Sequence, residues 1–142
     1  MSKDEVVLDT NVLVAGLRSR RGASALLLSL VGTGRFSINL SVPLVLEYED
    51  ALLRTNSGVS LDLHAIDDVL DYHCSVARLH PIFFLWRPFL RDPKDDMVLE
   101  LAVKAGCKFI VTFNIKDFAG SEQFGVQVVT PVEFLRRIGA VP

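Results

Sequence analysis

The sequence has 142 residues, half of them apolar and 23% charged, with 15 Lys plus Arg against 17 Asp plus Glu for a formal net charge of −2 with His neutral. That balance excludes a disordered chain, and no apolar run approaches the ~18–20 residues that a membrane-spanning helix needs. One domain over 1–142 fits the length, and any nucleic-acid role must rest on local basic patches rather than on overall charge.

In chain order, Val6 to Leu8 is a short apolar run flanked by charge and reads as a buried strand, with Asp9 directly after it. Thr10 to Leu17 and Ala23 to Val31 read as helices, the second stopped by Gly32 and Gly34. Phe36 to Leu40 alternates as a second strand. Ser41 then caps a helix that has Pro43 in its first turn and runs to about Arg54. A turn over Asn56 to Ser60 leads to a helix over Leu61 to His73, whose acids Asp62, Asp67, Asp68 and Asp71 form its wet face. Val76 to Leu79 reads as a third strand. The proline-broken stretch HPIFFLWRPFLRDPKDD reads as a long loop, with Asp92 a turn acid. A helix over Asp96 to Ala105, a buried strand over Lys108 to Thr112, a short helical turn over Asn114 to Phe118, a strand over Val126 to Val129 and a closing helix over Pro131 to Ile138 complete the chain.

Strands alternating with helices predict an α/β fold with a central parallel sheet of four to five strands flanked by helices. Such sheets bind ligands at the carboxyl ends of their strands. Asp9 follows the first strand and Glu47 lies in the helix after the second. Asp95 and Asp96 precede the strand Lys108 to Thr112, and Asp117 follows it. Each residue also has a structural use: Asp9 as a helix cap, Glu47 as surface, Asp95 and Asp96 as partners of a helix dipole, Asp117 as a turn acid. Together they suit one or two Mg²⁺ or Mn²⁺ ions acting on a phosphodiester, because hard cations take oxygen ligands. Thr10, Asn11, Thr112 and Asn114 are placed to orient the carboxylates or a water.

Arg18, Arg20 and Arg21 follow the first helix, and Arg87, Arg91 and Lys94 flank the long loop. Both groups are candidate phosphate contacts, and each also reads as an ordinary solvated charge run. Phe83, Phe84, Trp86 and Phe89 offer either base-stacking surface or an apolar interface. Cys74 and Cys107 lack any C-x-x-C spacing and read as buried thiols. The acidic N-terminal MSKDEVVLDTN has no long apolar segment, so no secretory signal and a cytoplasmic setting are expected.

The segments VVLDTNVLVAGL, LSVPLVLEYEDALL, DPKDDMVLELAVKAG and KFIVTFNIKDF, in this order and at these distances, resemble a PIN domain. The likeness is to the VapC-like kind described as toxin components of toxin–antitoxin pairs. It implies a PIN-like three-layer fold and a metal-dependent endoribonuclease with Mg²⁺ or Mn²⁺ as cofactor and RNA as substrate. It also implies a homodimer and a small antitoxin protein as partner, while the lack of a long apolar run leads to no expected membrane association. Carried over by motif position, the acids are Asp9, Glu47, Asp95 with Asp96 as the adjacent choice, and Asp117. Many relatives carry Asp where this chain has Asn114, so Asp117 is the acid left in that stretch. A non-catalytic RNA- or protein-binding module of the same fold is the alternative. A haloacid-dehalogenase-type phosphatase is disfavoured, because Asn11 stands where such enzymes have a second Asp.

Overall fold

A computed structural model describes residues 3–81 and 88–142. Phe83, Phe84, Trp86 and Arg87 lie outside the described residues. The elements run β1 (Glu5–Leu8), α1 (Thr10–Arg18), α2 (Ala23–Ser29), β2 (Ser37–Leu40), α3 (Val42–Leu53), α4 (Leu63–Val76) and β3 (Arg78–Leu79). There follow α5 (Pro93–Lys104), β4 (Phe109–Val111), β5 (Gln127–Val129) and α6 (Pro131–Arg137). All strand pairs are parallel, in the order β3-β2-β1-β4-β5. The chain thus builds outward from β1 to one edge, then returns to the other side of β1 to add β4 and β5. The order reverses between β1 and β4, and the crevice beyond their carboxyl ends is where such sheets bind ligands.

Side-chain alternation fixes the layers. Val7 and Ile110 point to one face, where Leu44 and Leu52 of α3, Ile66 and Leu70 of α4, and Val98, Leu99 and Leu101 of α5 enclose them. Val6, Leu8, Phe109 and Val111 point to the other face, against Leu27 of α2 and Phe134 and Leu135 of α6. Helix α1 serves both layers, with Val12 in one cluster and Leu13 in the other. Each fully buried Leu or Phe contributes on the order of 1.5–3 kcal/mol relative to exposure, so both sheet faces are anchored. This is the expected α/β architecture, with five strands among the described residues.

Caps explain most boundaries. Ser41 accepts from Leu44 N–H, with Pro43 in the first turn of α3. Helix α4 starts two residues later than predicted because Asp62 takes the Ala65 N–H at 2.8 Å. The same helix runs on to Val76, which leaves β3 only two residues at the sheet edge. Helix α5 starts at Pro93 rather than Asp96, since Asp92 accepts from Lys94 N–H at 2.9 Å. Ile115–Phe118 forms the predicted short turn, as a 3₁₀ helix. A second 3₁₀ turn at Ser121–Phe124 was not predicted, and the left-handed glycines Gly120 and Gly125 bracket it. Cys107 is buried as expected, whereas Cys74 is only half-buried. Among the described residues no helix is long and apolar enough to cross a membrane.

Candidate active site

The end of β1 is held from two sides. Asp9 N–H donates to Val111 C=O of β4 at 2.9 Å. The Tyr48 hydroxyl, fully buried on α3, donates to Leu8 C=O. Burial pushes the Tyr48 phenol pKa up, so it stays a neutral donor. Because Tyr48 follows Glu47, this bond fixes α3 against β1 and brings Glu47 toward Asp9. Tyr48 was not singled out from the sequence; its signal was a Tyr inside an apolar helix face, a residue that when buried needs a partner for its hydroxyl.

Asp9 itself is buried, with 7% of its surface exposed. One carboxyl oxygen, Oδ1, accepts from Thr10 N–H at 2.9 Å, and the other, Oδ2, from Thr112 Oγ1 at 2.7 Å. Thr112 Oγ1 in turn accepts from Asn11 Nδ2 at 3.3 Å and from Asn114 N–H at 3.0 Å. The four residues expected to orient the acids therefore form one network. Thr10 and Asn114 enter it through backbone N–H groups. Burial raises the Asp9 pKa; the bonds from Thr112 and Thr10 lower it, and repulsion from Asp117 and Glu47 raises it further.

Asp9 opens into a cleft of about 370 Å³. Glu47, Asp92 and Asp95 share its wall with Asp9, facing the cations Arg18, Arg54 and Lys94. Glu47 Oε1 lies 3.7 Å from an Arg54 guanidinium nitrogen and 3.5 Å from Lys94 Nζ. A second cleft, of about 440 Å³, shares Asp92 and Asp95 and adds Asp117, Arg91, Lys116 and Phe89. Asp95 stands on the ridge between the two. Burial pushes its carboxyl up to about 6, and repulsion from Asp9, Asp92 and Asp117 adds to the shift. Asp9, Asp95 and Asp117 therefore sense one another's charge, and Glu47 acts on Asp9.

The remaining candidates separate. Asp96 is buried, and its Oδ1 accepts from the Phe89 and Leu90 N–H groups at 3.1 and 3.0 Å. It fixes the loop before α5, whereas its neighbour Asp95 borders both clefts. Successive residues on a helix point about 100° apart, which is why the pair divides its work. Arg18, Arg91 and Lys94 line the clefts. Arg20 and Arg21 lie exposed in the turn after α1 and line neither. Asp92, Arg54, Asn56, Ser57 and Lys116 are cleft residues that the sequence reading missed. Arg54 had a visible signal, since it follows Glu47 by seven residues, close to two helical turns.

Among the described residues no three acidic, His or Cys side chains are close enough to enclose an ion by themselves. The carboxylates border an open cleft instead. Mg²⁺ takes only one or two protein carboxylates, with waters and phosphate oxygens completing its shell, so an open site of oxygen donors in which Asp9, Asp95 and Asp117 repel one another fits that class of ion.

A family model described as PIN domain matches residues 5–116, from β1 to one residue short of Asp117. No curated protein matches the chain.

Proposed function

The chain belongs to the PIN domain family, whose members are generally nucleases that use divalent metals and act on RNA, and on that premise we propose that it is a Mg²⁺- or Mn²⁺-dependent endoribonuclease. Asp9, Glu47, Asp95 and Asp117 would share one or two such ions, with waters and phosphate oxygens completing each shell. The observation that carries this reading is the meeting of acids from separate segments at the carboxyl end of the sheet, where Asp9, Glu47 and Asp95 line one cleft and Asp95 also borders the cleft of Asp117, so that Asp9, Asp95 and Asp117 repel one another. A divalent cation removes that repulsion.

When bound, such an ion acts as a Lewis acid, making water a stronger nucleophile and stabilising charge on the departing oxygen. The chain's own residues set the geometry. Thr112 and the Thr10 N–H fix both oxygens of Asp9. Tyr48 fixes the α3 helix that carries Glu47. Arg18 and Lys94 in the first cleft, and Arg91 in the second, supply positive charge for the RNA backbone, which positions the chain without reading sequence. No His lies in either cleft wall, and none is given a role in proton transfer.

A toxin role, a small antitoxin partner, a homodimer and a cytoplasmic setting belong to the same proposal. The likeness of VVLDTNVLVAGL and LSVPLVLEYEDALL supports them. Incubation of a mixed-sequence single-stranded RNA with the protein tests the core reading, with Mn²⁺, Mg²⁺ or EDTA and beside Asp9→Asn. Cleavage that requires both the ion and Asp9 is expected. Equal cleavage by the variant, or cleavage in EDTA, would contradict it, and metal-free RNA binding without cleavage would favour the non-catalytic module.

A further inference from the structure

The cation wall of the first cleft is built with the same care as its acids. Arg54 caps the C-terminal end of α3, two turns beyond Glu47 on the same face. Its guanidinium donates to Asp50 Oδ2 at 2.7 Å and lies 3.7 Å from Glu47 Oε1. Lys94, from the first turn of α5, reaches the same Glu47 oxygen from the other side at 3.5 Å. Glu47 is 15% exposed at its side chain, against 46% for Arg54 and 56% for Lys94. One recessed carboxylate oxygen therefore engages two solvent-facing cations. Arg18 completes the wall. Its Cδ and Cγ lie 2.7 and 3.2 Å from where a Cβ on Gly58 would stand, so its stem crosses the open face of that glycine. Gly58 has φ +76°, which a side chain would strain in any case. The turn after α3 thus leaves room for Arg18 at the cleft.

We propose that Arg54 is a substrate-phosphate contact that Glu47 masks, with Lys94, until a divalent ion takes the Glu47 carboxylate. This rests on the ribonuclease reading above and deepens it, because it names how ion and RNA are coupled. With Glu47 engaged by the cations, Arg54 and Lys94 are compensated and hold RNA weakly. With Glu47 engaged by an ion, Lys94 is released toward a phosphate, and Arg54 keeps only its solvent-exposed bond to Asp50, which leaves the other prong of its guanidinium for the same phosphate. Linkage makes the effect reciprocal: RNA must then tighten ion binding by the same factor.

The test is a double-mutant cycle read by binding. A short fluorescein-labelled single-stranded RNA is titrated with parent, Glu47→Gln, Arg54→Gln and the double variant, with EDTA or with Ca²⁺. Gel analysis checks that the RNA stays intact, and circular dichroism checks each fold. In the parent, Ca²⁺ should tighten RNA binding at least ~5-fold, the low end of ordinary coupling. Glu47→Gln should tighten binding in EDTA by a similar factor and lose most of the Ca²⁺ effect. Arg54→Gln should weaken the Ca²⁺-state binding, and in its background Glu47→Gln should gain less than half as much. A gain from Glu47→Gln that is the same with and without Arg54 overturns the inference, because charge removal alone would then explain it. Unchanged binding by Arg54→Gln also overturns it. Mn²⁺-dependent cleavage by the parent, measured on the same preparations, separates the cases: if it is present, only the coupling fails, and if it is absent along with RNA binding, the ribonuclease reading fails with it.

Discussion

Thr112→Val removes one oxygen from the centre of the carboxylate network and keeps the side chain's shape. Thr112 is fully buried, and its Oγ1 is the 2.7 Å donor to Asp9 Oδ2. A hydrogen bond to a charged group contributes about 1.5–3 kcal/mol. The two donors that lose Oγ1 as acceptor, Asn114 N–H and Asn11 Nδ2, belong to residues in contact with water, so they add little. The expected loss of stability is about 2 kcal/mol near neutral pH without metal. The pH dependence is diagnostic. The folded-state pKa of Asp9 lies above its ordinary value of 3.8, so its contribution to stability is fully present below that value and is lost as pH rises through the folded pKa. Thr112 opposes the upward shift, and the variant should therefore lose more across that window. Well below pH 3.8 the bond is to a neutral carboxyl, and the loss should shrink to about 0.5–1.5 kcal/mol. Urea denaturation in EDTA at both pH values measures this. An equal loss at both, or a loss under ~0.5 kcal/mol near neutral pH, would show that Thr112 does not support ionised Asp9.

Asp95→Asn should flatten the stability profile of the metal-free protein. With a folded pKa of about 6 against 3.8, Asp95 makes the parent lose stability as pH rises across that interval, and urea midpoints measured along it should fall more steeply in the parent than in the variant. Asp96→Ala should behave oppositely to its neighbour. It strips the Phe89 and Leu90 N–H groups of their acceptor, costing about 1–3 kcal/mol in denaturation and raising hydrogen exchange at both amides. Gly58→Ala should lose about 1–2 kcal/mol for a side chain in the left-handed region and displace Arg18. RNA binding should weaken, with its logarithmic salt slope shallower by about 0.7, the value of one single-strand phosphate contact.

The positions of the acids along the chain were legible because the strand ends were. Val6 to Leu8 and Lys108 to Thr112 are apolar runs with polar stops, so Asp9 and Thr112 could be put at the sheet edge from pattern alone. Ser41 and Pro43 marked the start of α3, and hence the depth of Glu47 within it. The start of α5 was misjudged because the RDP sequence carries a proline. That proline sits at a first helical position where its missing N–H costs nothing, and Asp92 caps it. The choice between Asp95 and Asp96 needed the rotation of α5, which depends on what the loop at Phe89 and Leu90 packs against. The meeting of Lys94 with Glu47 joins two helices through tertiary packing, and no spacing within the sequence encodes it.

Titration of the parent and of Asp9→Asn with Mn²⁺, followed in parallel by calorimetry and by RNA cleavage, tests the central claim most directly. The carboxylate cleft predicts that the parent binds Mn²⁺ and that cleavage rises over the same concentration range, with both lost in a variant that remains folded. Cleavage that saturates where no Mn²⁺ binds, or Mn²⁺ binding that Asp9→Asn leaves intact, would contradict it.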